Sequence, residues 1–342
     1  MKILQLHDES WDSGLAHYAL TLSSELSRRG HDVRFWAAQG SYAAGQARFL
    51  GLKTTELSQP WLTLPLRRAQ LMKDGIQLIN AHTGSAHSLA AALAAGSRVK
   101  VVRTRGDARP PKGHALAAAL ARRTHLFIAA NESIGRKLRA LFPKTRVETV
   151  PQGLPLPPEA PLPDAPIIGI LGRLDPVKGH EDLIAAARLL AEEQPDARFL
   201  AAGDGALREP LGQAASSLGG RFKMLGFVPD ALRFIEGCRI GVVASRGSEA
   251  VSRAALEWMA LGRPVVAARV GCLPELVEDG ATGLLVPPGD PKALAAALGS
   301  LLEDPEFAKR LGAAGRGRFQ RLFTLPRFAE RTEQLYQEVL KA

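Results

Sequence analysis

Short, nearly continuous apolar segments alternate with longer helical patterns along the whole chain, and this rhythm restricts the fold more than any other feature. The first half contains predicted strands at 2–6, 33–37, 76–80, 99–103, 125–129 and 147–150, and predicted helices at 14–29, 84–95, 113–123 and 131–141. Apolar strands separated by helices are typical of a parallel sheet that is buried on both faces. The pattern therefore predicts an α/β fold with a doubly wound parallel sheet.

The rhythm is interrupted once, at residues 151–166, which contain seven prolines. Proline cannot continue a helix or occupy a central strand, so this segment is predicted to be an extended linker. The rhythm then restarts, with predicted strands at 167–171, 198–202, 221–226, 240–244, 264–267 and 283–286, and predicted helices at 180–193, 207–218, 248–261, 291–302 and 306–318.

Two doubly wound, Rossmann-like domains are therefore expected, at residues 1–155 and 156–320. We expect them to face each other across a cleft, because ligands of such sheets bind beyond the carboxyl ends of the strands. The last helix, within residues 321–342, could cover either domain, and packing back on the N-terminal domain is the expected arrangement.

The charge is distributed unevenly between the two halves. Residues 1–153 hold 22 Lys and Arg against 10 Asp and Glu, whereas residues 154–342 hold 22 against 24. A basic first half suggests an anionic partner, which could be a membrane surface, a phosphorylated acceptor or nucleic acid. Charge that serves only solubility is the alternative.

Composition excludes several other classes of protein. No apolar run reaches the ~18 residues that a membrane helix needs, and the N-terminus becomes polar too early for a signal peptide. The only cysteines are Cys238 and Cys272, so the sequence offers neither a disulfide framework nor a paired-cysteine metal site. The simplest expectation is a protein of the reducing cytosol.

Two carboxylates in the second half have a spacing that suits one elongated ligand. Glu249 and Glu257 fall within the predicted helix 248–261. A rise of ~1.5 Å per residue would separate them by ~12 Å, or about two turns. Two solvated glutamates on an amphipathic helix are the alternative interpretation.

The predicted start of that helix suits a phosphate group. Ser248 is the expected N-cap, so the backbone amides of Ala250, Val251 and Ser252 would lack partners within the helix. Helix N-termini of this kind bind phosphate. Together with the two carboxylates, they predict a site for a nucleotide sugar.

An ordered series of motifs continues beyond these glutamates. It consists of Glu249 and Glu257, then Gly262-Arg263-Pro264-Val265-Val266, Gly271, Pro274-Glu275, Gly280, Gly283-Leu284-Leu285-Val286-Pro287 and Gly289-Asp290. This series resembles the retaining glycosyltransferases of family four, of the group 1 type, which have the GT-B fold. The resemblance covers nearly the whole chain and is weakest between residues 40 and 75.

The resemblance implies roles for side chains around the donor substrate. In the segment 172–179, which follows a predicted strand, it assigns Arg173 and Lys178 to the diphosphate. It also implies that Glu249 holds a sugar hydroxyl and that Glu257 holds the ribose diol. Two fixed cations can neutralise a leaving nucleoside diphosphate without a metal.

Other donor contacts implied by the resemblance are made largely by backbone. Gly172, Asp204 and Val228 would lie around the diphosphate and the nucleobase. Many relatives carry Gly-Phe-Gly after the first glutamate, where this chain has Ala250, Val251 and Ser252. This difference leaves the identity of the transferred sugar open.

In the first half, the resemblance points to two positions that follow predicted strands. The loop at Gly14 would lie against the donor phosphate and the acceptor, and His82 would lie near the transferred sugar. A histidine in this position can equally be a structural hydrogen-bonding residue.

A basic segment that follows the predicted strand 99–103 is a candidate for acceptor binding. Arg103, Arg105 and Arg109, together with Asp107, could hold an anionic acceptor, as in enzymes of lipopolysaccharide core assembly, which the chain resembles here. A solvated basic loop is the alternative.

Residues 60–73 mix apolar side chains with cations and suit attachment to an anionic bilayer. The side chains concerned are Trp61, Leu62, Leu64, Leu66, Arg67, Arg68 and Lys73. Pro65 is expected to break any regular helix before Leu66, and a core strand or the start of a helix is the alternative. We expect a cytoplasmic protein, peripheral on the inner face of the membrane.

The predicted activity is retaining, metal-independent transfer of a hexosyl or related group from a nucleoside-diphosphate sugar. The expected acceptor is a hydroxyl of an anionic saccharide or glycolipid, lipid-linked or of the lipopolysaccharide core type. No cofactor and no nucleic-acid partner are expected. The alternative within the same fold is a nucleotide-sugar epimerase or a sugar phosphorylase.

Two further classes fit the sequence poorly. A dinucleotide-dependent oxidoreductase would need G-x-G-x-x-G after its first strand, which the sequence does not supply. A nucleic-acid-binding protein would explain the basic half but neither carboxylate, and no known nucleic-acid-binding module is recognisable.

Overall fold

The computed structural model describes residues 1–107, 115–247 and 249–342. Its strands are β1 (Lys2–His7), β2 (Asp32–Ala38), β3 (Lys53–Leu57), β4 (Leu78–Ala81), β5 (Lys100–Arg105), β6 (Leu126–Ala129), β7 (Val147–Thr149), β8 (Ile167–Leu171), β9 (Arg198–Ala202), β10 (Phe222–Gly226), β11 (Ile240–Val243), β12 (Val265–Ala268) and β13 (Leu284–Val286).

The helices follow the strands in regular alternation. They are α1 (Gly14–Arg28), α2 (Tyr42–Phe49), α3 (Leu64–Asp74), α4 (Gly84–Ala94), α5 (Ala115–Arg122), α6 (Glu132–Leu141), α7 (His180–Leu189), α8 (Arg208–Ala215), α9 (Ala231–Glu236), α10 (Arg253–Ala260), α11 (Leu273–Leu276), α12 (Pro291–Glu303), α13 (Pro305–Leu322) and α14 (Leu325–Lys341). Short 3₁₀ turns cover Pro176–Lys178 and Ser216–Arg221.

The chain divides into two compact units. The first comprises Met1–Gly153 and Leu325–Ala342, and the second comprises Leu154–Thr324. Within the described residues, the first unit has a parallel sheet in the order β3-β2-β1-β4-β5-β6-β7, and the second has one in the order β10-β9-β8-β11-β12-β13. Two Rossmann-like domains of the predicted α/β class are thereby confirmed.

Three elements of the first unit were absent from the sequence prediction. Strand β3 carries no apolar run, because its sequence KTTEL lies at the edge of the sheet and is mostly half-exposed. Helix α2 is rich in alanine and has only a weak apolar stripe. In α3, Pro65 lies in the first turn, where a missing amide proton costs nothing, so it begins the helix rather than breaking it.

The prediction of a helix from residue 248 was wrong. Helix α10 begins at Arg253, after Ser252, whose backbone is not helical. The carbonyl oxygen of Glu249 accepts a hydrogen bond of 2.7 Å from the amide of Cys272, which lies outside the helix. Glu249 therefore lies in the loop before α10, and the helical estimate of its distance from Glu257 does not apply. Ser248, the expected N-cap, lies outside the described residues.

Two glycines allow α10 to pack closely on the second sheet. Trp258 of α10 is fully buried. A Cβ atom on Gly241 of β11 would lie 2.2 Å from the indole, and one on Gly169 of β8 would lie 2.7 Å from it. The absence of side chains at these positions fixes the place of α10, and with it Glu257.

Helix α14 belongs to the first unit, although it follows the second in sequence. Its Phe328 packs edge-on against Tyr18 of α1, with ring centroids 4.7 Å apart. The Tyr336 hydroxyl lies at 2.7 Å from Asn80 Nδ2 on β4. Among the described residues, no helix combines the length and the apolar character required to cross a membrane.

Candidate functional site

The strand order of the second sheet reverses between β8 and β11, and the loops after these two strands carry the predicted site. At such a point the helices leave the sheet on opposite sides, which opens a space beyond the strand ends. Gly172, Arg173 and Lys178 follow β8, and Glu249 follows β11.

Lys178 and Glu249 come together although 70 residues separate them in sequence. The Nζ atom of Lys178 donates a hydrogen bond to Glu249 Oε1. Ser245 Oγ donates to the same oxygen at 2.5 Å. Because the Glu249 side chain is only 2% exposed, the ammonium group supplies the charge that a buried carboxylate needs.

The backbone around Glu249 is held as firmly as its side chain. Gly271 has a φ of 57°, and a Cβ atom there would lie 2.1 Å from the Glu249 carbonyl oxygen. Cys272 donates its amide to that same carbonyl. Gly271 and Cys272 therefore fix the position of the Glu249 backbone.

Arg173 lies nearby on the exposed side of the loop after β8. Its Nε donates to Asp175 Oδ2 at 2.7 Å, and its side chain is 68% exposed. The guanidinium therefore remains accessible to an anionic ligand. Since Asp175 also caps the short turn that leads to Lys178, it links the two cations.

The loop after β9 packs directly on the loop after β8. A Cβ atom on Gly203 would lie 1.9 Å from the carbonyl oxygen of Gly172, and the Leu174 amide donates to the Asp204 carbonyl at 2.9 Å. Asp204 is thus placed beside Gly172, with its side chain exposed and 3.5 Å from Arg208. Val228 follows β10 and is half-buried.

Glu257 belongs to a separate ion pair. Its Oε1 accepts a hydrogen bond of 2.7 Å from Arg253 Nε, one helical turn earlier. Ala250 and Val251 are half-buried in the loop before α10, and Ser252 is buried. The expected helix amides at 250–252 are therefore loop amides.

In the first unit, Gly14 follows β1 and His82 follows β4. These two strands are neighbours at the point where the strand order of the sheet reverses. Gly14 opens α1 behind the N-cap Ser13, whose Oγ accepts from the Ala16 amide at 3.1 Å. His82 is fully buried, and its Nε2 lies 2.7 Å from Gln5 Oε1. Burial lowers the pKa of His82 well below its ordinary value.

The basic segment is more enclosed than a solvated loop would be. Arg103 is 5% exposed and donates to the carbonyl oxygens of Ala81 and Thr104. Burial lowers its pKa to about 10. Arg105 pairs with Asp107 at 3.1 Å. Arg109 lies outside the described residues.

Several residues around these sites were missed by the sequence analysis. Ser245 and Arg253 contact the two glutamates of the second unit, and Gln5, Asn80 and Tyr336 surround His82 in the first. A polar residue inside an apolar strand, as at Gln5 and Asn80, was the one available signal. In the part of the chain that the structure describes, no group of three or more His, Cys, Asp or Glu side chains could hold a metal ion.

Comparison with protein families assigns each half of the chain to glycosyltransferases. Residues 13–156 match the model described as Glycosyltransferase Family 4. Residues 165–304 match the model described as Glycosyl transferases group 1. The first range lies in the first unit except for residues 154–156, and the second range lies within the second unit.

Curated relatives support the same assignment over part of the chain. The alpha-D-kanosaminyltransferase of Streptomyces kanamyceticus is 36% identical over 157 residues, which are 44% of this chain and 40% of the relative. A GDP-mannose-dependent alpha-(1-6)-phosphatidylinositol monomannoside mannosyltransferase of Mycolicibacterium smegmatis is 34% identical over 205 residues, 52% of each protein. The chain thus matches about half the length of these relatives, or less.

The fold extends over the full length of a solved structure. Anabaena HepE in complex with UDP superposes with a TM-score of 0.87 at 22% identity, covering 99% of this chain and all of that one. That likeness establishes the GT-B architecture of two Rossmann-like domains. With a glycosyltransferase model matched to each half, the comparisons support a glycosyltransferase of the group 1 and family 4 type.

Proposed function

We propose that this protein transfers a sugar from a nucleoside-diphosphate donor to a saccharide hydroxyl, with retention of the anomeric configuration. The observation that carries the proposal is the Lys178–Glu249 pair. Ser245 donates to the same Glu249 oxygen, and the group lies where the strand order of the second sheet reverses. A buried carboxylate that accepts hydrogen bonds can hold a sugar hydroxyl, and the adjacent ammonium can hold a phosphate. The UDP complex of HepE and the GDP-mannose-dependent relative support a nucleotide-sugar donor.

In this proposal, the side chains of the second unit divide the donor between them. Lys178 and the accessible Arg173 bind the diphosphate, Glu249 holds a hydroxyl of the transferred sugar, and Glu257 holds the ribose diol. Each cation is paired with a carboxylate in the structure, Lys178 with Glu249 and Arg173 with Asp175. Donor binding therefore exchanges a carboxylate partner for a phosphate on each cation.

The chemistry requires little beyond these charges. The bond between the anomeric carbon and the β-phosphate oxygen breaks as the acceptor oxygen bonds to the same face of the sugar. The leaving phosphate takes the acceptor proton, so no separate base is needed. Lys178 and Arg173 stabilise the negative charge that develops on the diphosphate. Because these two cations neutralise that charge, we propose that catalysis needs no metal ion.

Thermal-shift measurements with a panel of nucleoside diphosphates and their sugars test the donor half of this proposal. A ligand at 100 times its Kd adds ~2.7 kcal/mol of stability. We expect one nucleotide series to stabilise the protein, and Lys178→Ala to weaken its binding about 10- to 100-fold, the loss of a charged hydrogen bond. Arg321→Ala, an exposed cation on α13, is the matched control. Stabilisation by no nucleotide would contradict the proposal.

Proton NMR of the transferred product tests retention, because the coupling at the anomeric position distinguishes the two configurations. An inverted product would refute the mechanism while leaving donor binding intact. Transfer that stops in a chelator and returns with a divalent cation would refute the metal-independent step.

We propose that the acceptor is a lipid-linked or lipopolysaccharide-type saccharide and that the protein acts at an anionic membrane surface. Trp61 and Leu62, which lie just before α3, and Leu66 in its first turn are 53%, 78% and 74% exposed. Arg67 and Arg68 follow directly in the same helix. Exposed apolar side chains beside cations suit the interface of an anionic bilayer.

Co-sedimentation with vesicles tests the membrane proposal. We expect binding to vesicles that contain anionic lipid, weaker binding in high salt, and loss of binding when Trp61, Leu62 and Leu66 are all changed to serine. Phe49→Ser is the matched control, because Phe49 is 86% exposed elsewhere in the same unit. Equal binding to neutral and anionic vesicles would contradict the proposal.

A further inference from the structure

The first unit contains a cavity of about 690 Å³ at the amino ends of β4 and β5, where α3 and α14 also end. Gln77 precedes β4, Lys100 begins β5, and Lys341 is the last residue of α14. Gly14 and His82 follow the carboxyl ends of their strands, so the cavity lies at the opposite edge of the sheet from them. Its volume is within the range of about 300–1,000 Å³ that is usual for small-molecule sites.

The wall of this cavity carries positive charge without a counter-charge. Arg98, Lys100 and Lys341 line it, and no described residue that lines it is an aspartate or a glutamate. In the part of the chain that the structure describes, these three side chains have neither a carboxylate nor a carbonyl group as a partner. A concave wall with one sign of charge concentrates ions of the opposite sign. The cavity is therefore suited to an anion.

Cations near helix ends often do no more than complement the carbonyl groups there, which is the alternative explanation. At this edge of the sheet, two other cations have that role. Lys2 Nζ donates to the carbonyl of Asp74, the last residue of α3, at 3.1 Å. Arg68 donates to the carbonyl of Ala95, at the end of α4. These helix ends are thus already served by cations other than the three in the cavity wall.

Two neutral side chains of the wall are oriented so that each keeps a hydrogen-bond donor. The Oε1 atom of Gln77 accepts from the backbone amide of Lys2 at 2.9 Å, which leaves the Gln77 amide nitrogen as a donor. Nδ1 of His125 accepts from the backbone amide of Val101 at 3.1 Å, so the proton of the neutral ring is on Nε2. Both orientations are fixed, because a backbone amide can only donate. Burial and the Lys100 ammonium lower the pKa of His125, so the ring is neutral near pH 7.

The rest of the described wall adds apolar surface. The hydroxyl of Ser97 is used by the backbone, since it donates to the Ala94 carbonyl at 2.8 Å and accepts from the Val99 amide at 3.2 Å. Met72 and Leu340 line another part of the cavity. Cations and neutral donors suit the oxygens of a phosphate group, which accept strong, charge-assisted hydrogen bonds. The apolar side chains suit an organic group attached to that phosphate.

We propose that this cavity binds the phosphate group of a phosphorylated molecule, with Arg98, Lys100 and Lys341 around the phosphate and Met72 and Leu340 against its organic part. The proposal is independent of the proposed function, because the cavity lies in the first unit at the edge of the sheet away from the strand ends that carry Gly14 and His82. Two sources supply this chemistry, a soluble phosphate ester and the headgroup of a phosphorylated lipid.

Titration calorimetry of the full chain with phenyl phosphate tests the proposal. We expect saturable binding that Lys100→Met weakens about 10- to 100-fold, through the loss of a hydrogen bond between charged groups. Lys137→Met is the matched control, because Lys137 is an exposed cation on α6 and its substitution removes the same charge. It should leave the affinity unchanged. Equal losses in the two variants would show general attraction by the basic unit and would overturn the proposal.

Gln77→Glu tests the wall without removing a cation. The variant keeps an oxygen for the Lys2 amide, so urea unfolding should show a folded protein, but it replaces the donor nitrogen with a carboxylate oxygen. We expect phenyl phosphate to bind about 10- to 100-fold more weakly. This variant also decides the matter if Lys100→Met does not fold. An unchanged affinity in Gln77→Glu would overturn the proposal.

Two further measurements locate the ligand and identify its source. Lys178→Ala should leave phenyl phosphate binding unchanged, and a loss there would place the phosphate in the second unit and overturn the proposal. Vesicles that contain phosphatidic acid are the lipid probe. Binding of phenyl phosphate supports a soluble ester. Vesicle binding that Lys100→Met weakens and Lys137→Met does not, without phenyl phosphate binding, supports a lipid headgroup. Binding of neither probe would overturn the proposal.

Discussion

Gly179 and Ala244 are in direct contact: a Cβ atom on Gly179 would lie 1.9 Å from the carbonyl oxygen of Ala244. Gly179 follows Lys178 and has a φ of 70°. The contact brings the loop after β8 onto the end of β11, and this approach allows Lys178 to reach Glu249. Lys178 and Gly179 therefore act together: we expect the lysine to bind the ligand, and the glycine allows the loop to hold the lysine in place.

We expect Gly179→Ala to disrupt this loop and weaken nucleotide binding at least tenfold. An alanine at this φ costs about 1–2 kcal/mol, and the Ala244 carbonyl must also move. Gly280→Ala is the matched control, because Gly280 has a φ of 72° but open space around its Cβ position. Urea unfolding and nucleotide titration of both variants measure the difference. Equal losses in the two variants would show that backbone strain alone is responsible.

The Lys178–Glu249 pair should show strong coupling in a double-mutant cycle. Lys178→Met leaves a carboxylate that is 2% exposed without its cation, and we expect a loss of about 3–5 kcal/mol in unfolding free energy. Adding Glu249→Gln should recover most of this loss, because no buried charge remains. Nucleotide affinity should stay low in the double variant. Additive changes in the unfolding free energy would contradict the pairing.

Gly241 and Gly212 should respond in opposite directions to the same substitution. Gly241→Ala places a methyl group 2.2 Å from Trp258, and we expect a loss of more than about 2 kcal/mol through overpacking. Gly212 lies in α8 with open space around it, so Gly212→Ala should stabilise the protein by about 0.5–1 kcal/mol. Thermal denaturation of both variants tests this contrast, and a tolerated Gly241→Ala would refute the described packing of α10.

His7 should make the stability of the protein sensitive to mild acid. Burial, aided by Arg103 and opposed by Asp8, lowers the pKa of His7 to about 4. The folded state therefore keeps the ring neutral while the unfolded chain, with a pKa near 6.5, takes up a proton. The contribution of the neutral His7 ring to the unfolding free energy is fully present above pH 6.5. It is lost as the pH falls toward 4, by about 3 kcal/mol in total.

A comparison with His7→Gln measures this contribution. We expect the unfolding free energy of the unmodified protein to fall more steeply between pH 6.5 and 4 than that of the variant. His180, with a pKa lowered to about 4, and His87, with one lowered to about 3, add to the slope of both proteins and cancel in the difference. Parallel profiles would show that the pKa of His7 is the same in the folded and the unfolded state.

The α/β class, a boundary at the proline-rich segment and most strands of both sheets could be predicted from the order of the amino acids. Parallel strands are buried on both faces, so their apolar runs are visible without any knowledge of their neighbours. The edge strand β3 was missed for the same reason, since its half-exposed residues carry no such run. The family resemblance also marked Lys178 and Glu249 as candidates.

The way in which these candidates are held became visible in the folded chain. Cys272 donates to the Glu249 carbonyl in the loop before α10, and the environment of His82 includes Tyr336, 254 residues further along the chain. Such contacts join segments that are distant in sequence, and neither periodicity nor capping patterns record them. Local sequence specifies which elements form, whereas close approaches between strand ends decide which polar atoms meet.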